Sequence, residues 1–87
     1  MTPDPGAAQL VAQARADLAQ RLGLPADSFQ LTRAEAVEWP DSSLGCPQPG
    51  FMYSQIVTAG YLIVLESNGK AYEYHADRQH VVYCEKN

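Results

Sequence analysis

With 87 residues, 46% of them hydrophobic, the chain can form one domain with a thin core and is too apolar for a disordered tail. Its net charge of −4 and scattered basic residues argue against nucleic acid as a partner, because phosphates require a surface of lysine and arginine. No apolar run approaches the roughly 20 residues that span a bilayer, so no transmembrane segment is predicted.

Residues 1–5 are predicted to form a flexible linker that leads into a helix over about residues 6–22. Asp4 is a candidate N-cap, and Pro5 suits the first helical position. Gly23 can adopt the left-handed conformation that ends a helix. Apolar residues recur every three or four positions and form one stripe, which consists of Ala7, Leu10, Val11, Ala14, Leu18 and Leu22.

Alternating apolar and polar residues after the helix predict strands over residues 29–39, 51–58, 61–66, 70–76 and 80–85. Turns are predicted at Ala59-Gly60, at Asn68-Gly69 and over residues 77–79. These elements indicate an α+β fold over residues 6–87, in which one N-terminal helix packs on a four- to five-stranded antiparallel β-meander.

The first strand contains an irregularity, because the charged Arg33 and Glu35 occupy the same alternate positions as the apolar Val37 and Trp39, which a regular strand would place on one face. A bulge or bend near Arg33-Ala34 would explain this pattern, and so would two separate short strands.

The Asn68-Gly69 turn predicts the register of the central hairpin, since a two-residue turn places Ser67 opposite Lys70. The apolar face of this hairpin then consists of Leu65 opposite Tyr72, Ile63 opposite Tyr74, and Tyr61 opposite Ala76, and it would receive the helix. The other face consists of Leu62, Val64, Glu73 and His75, joined by Val82 and Cys84 if the following turn has four residues. Because this second face is partly apolar, it requires cover from the proline-rich loop or from a partner.

Cys46 and Cys84 are the two cysteines of the chain, and they form either a disulfide or two unreactive thiols. A disulfide would stabilise the domain by roughly 4 kcal/mol and would hold the proline-rich loop on the second sheet face. A redox-active pair is disfavoured, because there is no Cys-x-x-Cys spacing and no helix N-terminus adjoins either cysteine.

His75 and His80 are candidate metal ligands together with Cys84, Glu73 or Asp77, but their spacing matches no known ligand signature. There is no Gly-x-Ser-x-Gly motif for a nucleophile and no glycine-rich loop before a helix for a nucleotide. We therefore expect no metal, no cofactor, no catalytic residues and no enzymatic activity.

The segment from Trp39 to Met52 is the leading candidate for a recognition surface. Three prolines stiffen it, and long loops in small domains are usually functional or disordered. The candidate binding residues are Trp39, Asp41, Leu44, Pro47, Phe51 and Tyr53. In the alternative interpretation the loop only covers the sheet, with Leu44 and Cys46 pointing inward.

The leading hypothesis for function is a non-enzymatic module that binds a protein or peptide through this loop. One alternative is a protease inhibitor that presents Leu44-Gly45-Cys46-Pro47 in a substrate-like conformation. Another is a purely structural module or a homodimer joined through the second sheet face or the edge of the last strand.

Several segments resemble a group of uncharacterised small bacterial domains, which look like exported or lipoprotein-associated modules. The resemblance extends from Leu18 onward and rests on residues 39–50, 53–55, 60–61, 64–66 and 69–75, including Trp-Pro-Asp-Ser-Ser-Leu-Gly-Cys-Pro-Gln-Pro-Gly and Tyr-Glu-Tyr-His. It implies an extracellular or cell-envelope setting and no particular activity. The helix-then-meander order is also similar to PepSY and cystatin-like layouts. Met1 precedes a polar, proline-rich stretch rather than a signal-peptide pattern, so a cytoplasmic setting also stays open.

Overall fold

The computed structural model describes residues 5–47 and 49–84. The elements in chain order are α1 (Pro5–Leu22), a 3-10 turn (Ala26–Ser28), β1 (Gln30–Trp39), β2 (Thr58–Ser67), β3 (Lys70–Ala76) and β4 (Val81–Tyr83). The four strands form one antiparallel sheet in the order β1-β2-β3-β4, and α1 packs on one face of it. The predicted α+β fold, one helix on an antiparallel meander, is confirmed.

The helix begins at Pro5, one residue before the predicted start, and ends where predicted. Gly23 has a φ of 67°, and its N–H donates to the carbonyl of Ala19 over 2.8 Å, as in a left-handed C-terminal cap. The predicted stripe is buried or half-buried against the sheet along its whole length. The predicted linker residues 1–4, including the proposed N-cap Asp4, lie outside the described residues.

The predicted register of the β2–β3 hairpin is confirmed at every pair. Ser67 lies opposite Lys70 across the Asn68-Gly69 turn, where both turn residues have positive φ. The pairs on the helix side form the centre of the core, in which Ile63, Leu65, Tyr74 and Ala76 are fully buried.

β1 is a single strand with a bulge between Leu31 and Arg33, one or two residues before the predicted irregularity. The extra residue changes which side chains face the helix. After the bulge, the residues on the face away from α1 are Arg33, Glu35, Val37 and Trp39. This is the second sheet face of the predicted hairpin, and it is called the back face from here on. Because the ladder to β2 is continuous from Arg33 to Trp39, the alternative of two separate strands is wrong.

The predicted strand over residues 51–58 is wrong. Residues 51–57 have no regular secondary structure, and β2 begins at Thr58, directly opposite Trp39. The predicted Ala59-Gly60 turn is also wrong, because both residues lie inside β2 and pair with Glu38 and Val37. Glycine occurs here because β3 and the Trp39 indole lie close to its backbone, not because the chain reverses.

The last strand is shorter than predicted. It spans Val81–Tyr83 and follows a four-residue turn over residues 77–80, in which Asp77 accepts hydrogen bonds from the backbone N–H groups of Gln79 and His80. Val82 therefore lies opposite His75, as expected for a turn of that length. Glu85, the predicted end of the strand, lies outside the described residues. Within the described chain, no helix combines the length and apolarity needed to cross a membrane.

Candidate functional site

Residues 40–57, hereafter the connection loop, join β1 to β2 and fold back onto the sheet. The first part of this loop consists of two successive turns. The N–H of Leu44 donates to the carbonyl of Asp41 over 3.3 Å, and the N–H of Cys46 donates to the carbonyl of Ser43 over 3.0 Å. Leu44 and Gly45 have φ values of 59° and 71°, as in a type I′ turn. Such a conformation is uncommon for leucine and requires support from the surroundings.

Asp41 organises the first of these turns. Its Oδ1 accepts hydrogen bonds from the hydroxyl of Ser43 and from the backbone N–H of Ser43, the latter over 2.9 Å. These two bonds hold the pKa of the Asp41 carboxyl below its ordinary value, since both favour the ionised form. Asp41 therefore stabilises the conformation of the loop.

The tip of the loop is held by a buried histidine of β3. The Nδ1 of His75 lies 2.5 Å from the carbonyl oxygen of Leu44, and each of these two residues is only 5% exposed. Because a carbonyl can only accept, Nδ1 carries the proton and donates it. The Nε2 of His75 lies 2.7 Å from Oε1 of Glu73, so both ring nitrogens have partners within the fold. This histidine secures the loop and is not presented to a substrate.

Trp39 covers the other side of the same histidine. Its ring stacks on the imidazole of His75, with centroids 4.4 Å apart and 15° between the planes. Its Nε1 donates to the carbonyl of Ala76 over 2.9 Å. A Cβ on Gly45 would lie 2.9 Å from the indole, and a Cβ on Gly60 would collide with the Ala76 carbonyl. Two glycines thus leave the space that the tryptophan requires.

A disulfide fixes the loop to the far edge of the sheet. Cys46 is joined to Cys84, with 5.8 Å between their Cα atoms, and this confirms the disulfide interpretation over the free thiols. Cys84 follows β4, and its N–H donates to the carbonyl of Glu73 over 2.9 Å. The loop is therefore attached to the ends of β1 and β3 and to the residue after β4.

The second part of the loop is hydrogen-bonded to the first at Ser54, and most of its side chains are exposed. The N–H of Ser42 donates to the carbonyl of Ser54 over 2.9 Å, and the N–H of Ser54 donates to the hydroxyl of Ser42 over 2.8 Å. On either side of Ser54, large apolar side chains face solvent. They are Phe51, Met52, Ile56 and Val57, with exposures of 67%, 98%, 66% and 64%. Hereafter residues 51–57 are called the apolar strip.

The apolar strip borders a cleft of about 240 Å³ on the back face. It is lined by residues 42–44 and Cys46, by Phe51 and Tyr53, and by Val82 of β4. No charged side chain is among these residues, and none occurs anywhere in residues 42–65. The strip and the lining of the cleft therefore carry no charged side chain of their own, which suits an uncharged partner.

The predicted binding residues fall into two groups. Trp39 and Leu44, half-buried and buried, are bonded to β3, whereas the half-buried Asp41 is bonded to Ser43 within the loop. Leu44 and the half-buried Cys46 are the two residues that the alternative interpretation directs inward. Phe51 and Pro47 are exposed. Tyr53 is half-buried at the cleft, and Gln48 of the same loop lies outside the described residues.

Met52 belongs to the candidate segment predicted from the sequence but not to the candidate binding residues, and Ile56 and Val57 lie outside that candidate site. The sequence pattern predicts a strand over residues 51–58, and a strand with one face on the core would bury half of these side chains. The absence of charge throughout residues 42–65 was a signal that could have identified the exposed apolar segment.

The candidate metal ligands do not converge on one point. Glu73 contacts His75, but Cys84 is in the disulfide, and His80 lies in the β3–β4 turn, with its Nδ1 3.6 Å from Asp77. No group of three or more histidine, cysteine, aspartate or glutamate side chains suited to a metal occurs in the part of the chain that the structure describes.

A family model described as a domain of unknown function, DUF8738, matches residues 11–84. The chain belongs to this family. The DUF8738 match includes most of α1, all four strands, the connection loop and both cysteines of the disulfide. Searches of curated proteins and of solved structures returned no match. The resemblance to PepSY and cystatin-like layouts stays a prediction.

Proposed function

We propose that this DUF8738 domain is a non-enzymatic interaction module, which binds an uncharged apolar protein or peptide segment through the apolar strip and the adjoining cleft. The observation that carries the proposal is the distribution of exposed apolar side chains. Among the described residues, the large hydrophobic side chains that are exposed are Leu24, Phe51, Met52, Ile56 and Val57. Four of these five lie within one seven-residue segment, and such concentrated patches are typical of interaction sites.

The attachment of the loop supports the same function. The disulfide, the His75–Leu44 contact and the Ser42–Ser54 bonds limit the conformations that the loop can adopt before binding. A preorganised loop loses less conformational entropy when a partner binds. The buried residues of the loop therefore support a surface that the exposed residues form.

Panning a random-peptide phage library on the immobilised, oxidised protein tests this function. We expect enrichment of uncharged peptides rich in apolar residues. Met52→Asp and Ile56→Asp should abolish the enrichment, because each places a charge in the apolar strip without touching the core. Gln9→Asp, on an exposed position of α1, is the matched control and should leave it unchanged. Undiminished enrichment by both strip variants would show that the strip is not the binding site.

We also propose an extracellular or cell-envelope location, where a disulfide persists. The Cys46–Cys84 disulfide is compatible with an oxidising compartment. Alkylation of the protein in intact cells, followed by mass spectrometry, tests this location. Protection of both cysteines is expected, and complete alkylation without a reductant would contradict it.

The protease-inhibitor alternative stays a hypothesis with no specific structural support. Its proposed reactive segment is residues 44–47, but Leu44 is 5% exposed and packs against the sheet. To enter a protease pocket, this side chain would have to leave the contact with His75.

A further inference from the structure

We propose that the partner of the apolar strip is a second copy of this chain, paired antiparallel with the first about a two-fold axis at Ser54. This inference rests on the proposed function, since it names the partner of the same surface. It differs from a dimer through the back face or the edge of β4, because only residues 51–57 form the contact.

The order of side chains in the strip is symmetric about its centre. Two exposed apolar residues, Phe51 and Met52, precede Tyr53-Ser54-Gln55, and two more, Ile56 and Val57, follow. When two copies run antiparallel with Ser54 opposite Ser54, Phe51 faces Val57 of the second copy and Met52 faces Ile56. A two-fold interface uses the same patch on both subunits, so a patch of this kind must be complementary to itself. The strip meets that condition at all four apolar positions.

The charge distribution favours a second copy at this position. The chain carries a net charge of −4, and two such chains repel each other over most of their surfaces. Residues 42–65 contain no charged side chain, which makes this the longest uncharged segment of the chain. The strip itself therefore brings no like charge into a contact between two copies.

The backbone at Ser54 agrees with the proposed axis. Its N–H and its carbonyl are both bonded to Ser42 of the same chain, so neither is required by a second copy. In antiparallel pairs, the residues that do not exchange hydrogen bonds have the closest side chains. Ser54 is small enough for such a central position, and the flanking Phe, Tyr, Ile and Val residues are those that strands favour.

The size of the patch predicts a weak dimer. The largest apolar patch on a typical monomer covers about 300–600 Å². A standard protein interface buries about 800 Å² on each partner. The strip contributes only seven residues from each copy, against roughly 20–30 residues a side in a standard interface. We therefore expect a monomer–dimer equilibrium that depends on concentration.

Sedimentation equilibrium of the oxidised protein, across a roughly hundredfold range of concentration, tests the dimer. The expected result is a rise from monomer toward dimer mass. Met52→Asp and Ile56→Asp should each weaken dimerisation about tenfold or more, because an unpaired charge then lies in an apolar contact. Gln9→Asp should dimerise like the unaltered chain. A monomer at every concentration, or strip variants that dimerise as well as the control, would overturn the inference.

Cross-linking tests the antiparallel arrangement. Two variants, Met52→Cys and Ile56→Cys, are mixed under mild oxidation, and the cross-linked species are resolved by mass. Because Met52 of one copy faces Ile56 of the other, the mixture should give mainly the disulfide between unlike variants. Equal or greater cross-linking of Met52→Cys with itself would overturn the proposed register.

The failure of this inference is distinguishable from the failure of the proposed function. A chain that stays monomeric but still enriches apolar peptides through the strip has a binding site for another partner, so only the second copy is rejected. A chain that neither dimerises nor enriches peptides lacks the proposed interaction surface altogether.

Discussion

The indole of Trp39 lies parallel to the imidazole of His75, with 4.4 Å between the ring centroids. This contact joins the last residue of β1 to β3, across the intervening strand β2. His75 in turn holds the carbonyl of Leu44 at the tip of the loop that begins after Trp39. The start and the tip of the connection loop are thus secured by one pair of stacked rings.

Trp39→Phe should lower the free energy of unfolding by about 1–2 kcal/mol, because the Ala76 carbonyl loses the donor that Nε1 provides while an aromatic ring remains on His75. Urea denaturation followed by far-UV circular dichroism measures the difference. Phe51→Leu, at an exposed aromatic residue of the same loop, is the control and should change stability by less than about 0.5 kcal/mol. Equal stability of Trp39→Phe and the unaltered protein would show that this hydrogen bond contributes nothing.

Gly60→Ala should destabilise the domain by about 3 kcal/mol or more, since the added Cβ collides with the Ala76 carbonyl and approaches the Trp39 indole within 2.9 Å. Gly69→Ala is the matched comparison. It has open space around the new methyl group and should cost only about 1 kcal/mol, from its positive φ. The order of the two unfolding midpoints in urea checks the prediction, and a more stable Gly60→Ala would contradict it.

Cys46→Ser combined with Cys84→Ser should lower the free energy of unfolding by about 4 kcal/mol, the value that chain-entropy theory gives for a bridge with a sequence separation of 38. Reductant should have a similar effect on the unaltered protein and none on the double variant. Thermal denaturation with and without reductant provides the measurement. A loss below about 1 kcal/mol would show that the loop is held mainly by its other contacts.

Leu44→Ala and Met52→Ala should differ sharply in their free energies of unfolding, although both remove a large apolar side chain from the same loop. Leu44 is buried, so its truncation leaves a cavity and should cost about 2–4 kcal/mol. Met52 is 98% exposed, and its truncation should change stability by less than about 0.5 kcal/mol. Chemical denaturation of the two variants side by side tests this division, and similar losses would contradict it.

Asp17→Asn should make the domain less stable at neutral pH and less sensitive to acid. Burial acts to raise the pKa of Asp17, but hydrogen bonds from Arg21 and Tyr74, over 2.6 and 2.7 Å, bring it below its ordinary value of 3.8. The stabilisation is therefore complete above that ordinary value and is lost as the pH falls through the lower folded-state pKa.

The expected loss for Asp17→Asn at neutral pH is about 1 kcal/mol, because the carboxylate is partly exposed and screened by water. Unfolding free energies measured between neutral and strongly acidic pH should converge for the variant and the unaltered protein. Asp27→Asn, an exposed carboxylate in the 3-10 turn, is the control. A constant difference across the whole pH range would contradict the assigned role of Asp17.

Periodicity and turn chemistry determined most of the fold without the structure. The helix stripe follows from apolar residues on one helical face, and the β2–β3 register follows from the Asn68-Gly69 turn, because both are local properties of the chain. Arg33 and Glu35 also revealed a bulge, since charged residues broke the alternation of their strand.

The local sequence pattern could not determine the secondary structure of residues 51–60. Phe51, Ile56 and Val57 have the composition of a strand, and Gly60 looks like a turn residue. A strand, however, requires a neighbouring strand with free hydrogen-bonding groups. β2 begins at Thr58, later than the predicted start at residue 51, because Thr58 pairs with Trp39, the last residue of β1. The indole of Trp39 packs over Gly60, which therefore lies inside the strand.

The fold class, the hairpin register and the candidate loop follow from short-range periodicity and turn geometry, which are local properties of the chain. The side of that loop that faces solvent depends instead on contacts between distant segments. Trp39 and Leu44 turn inward because Ala76 and His75, more than thirty residues away in the chain, provide their polar partners. The apolar strip stays exposed because the earlier part of the loop makes the contacts with Ala76 and His75, a division that depends on long-range packing.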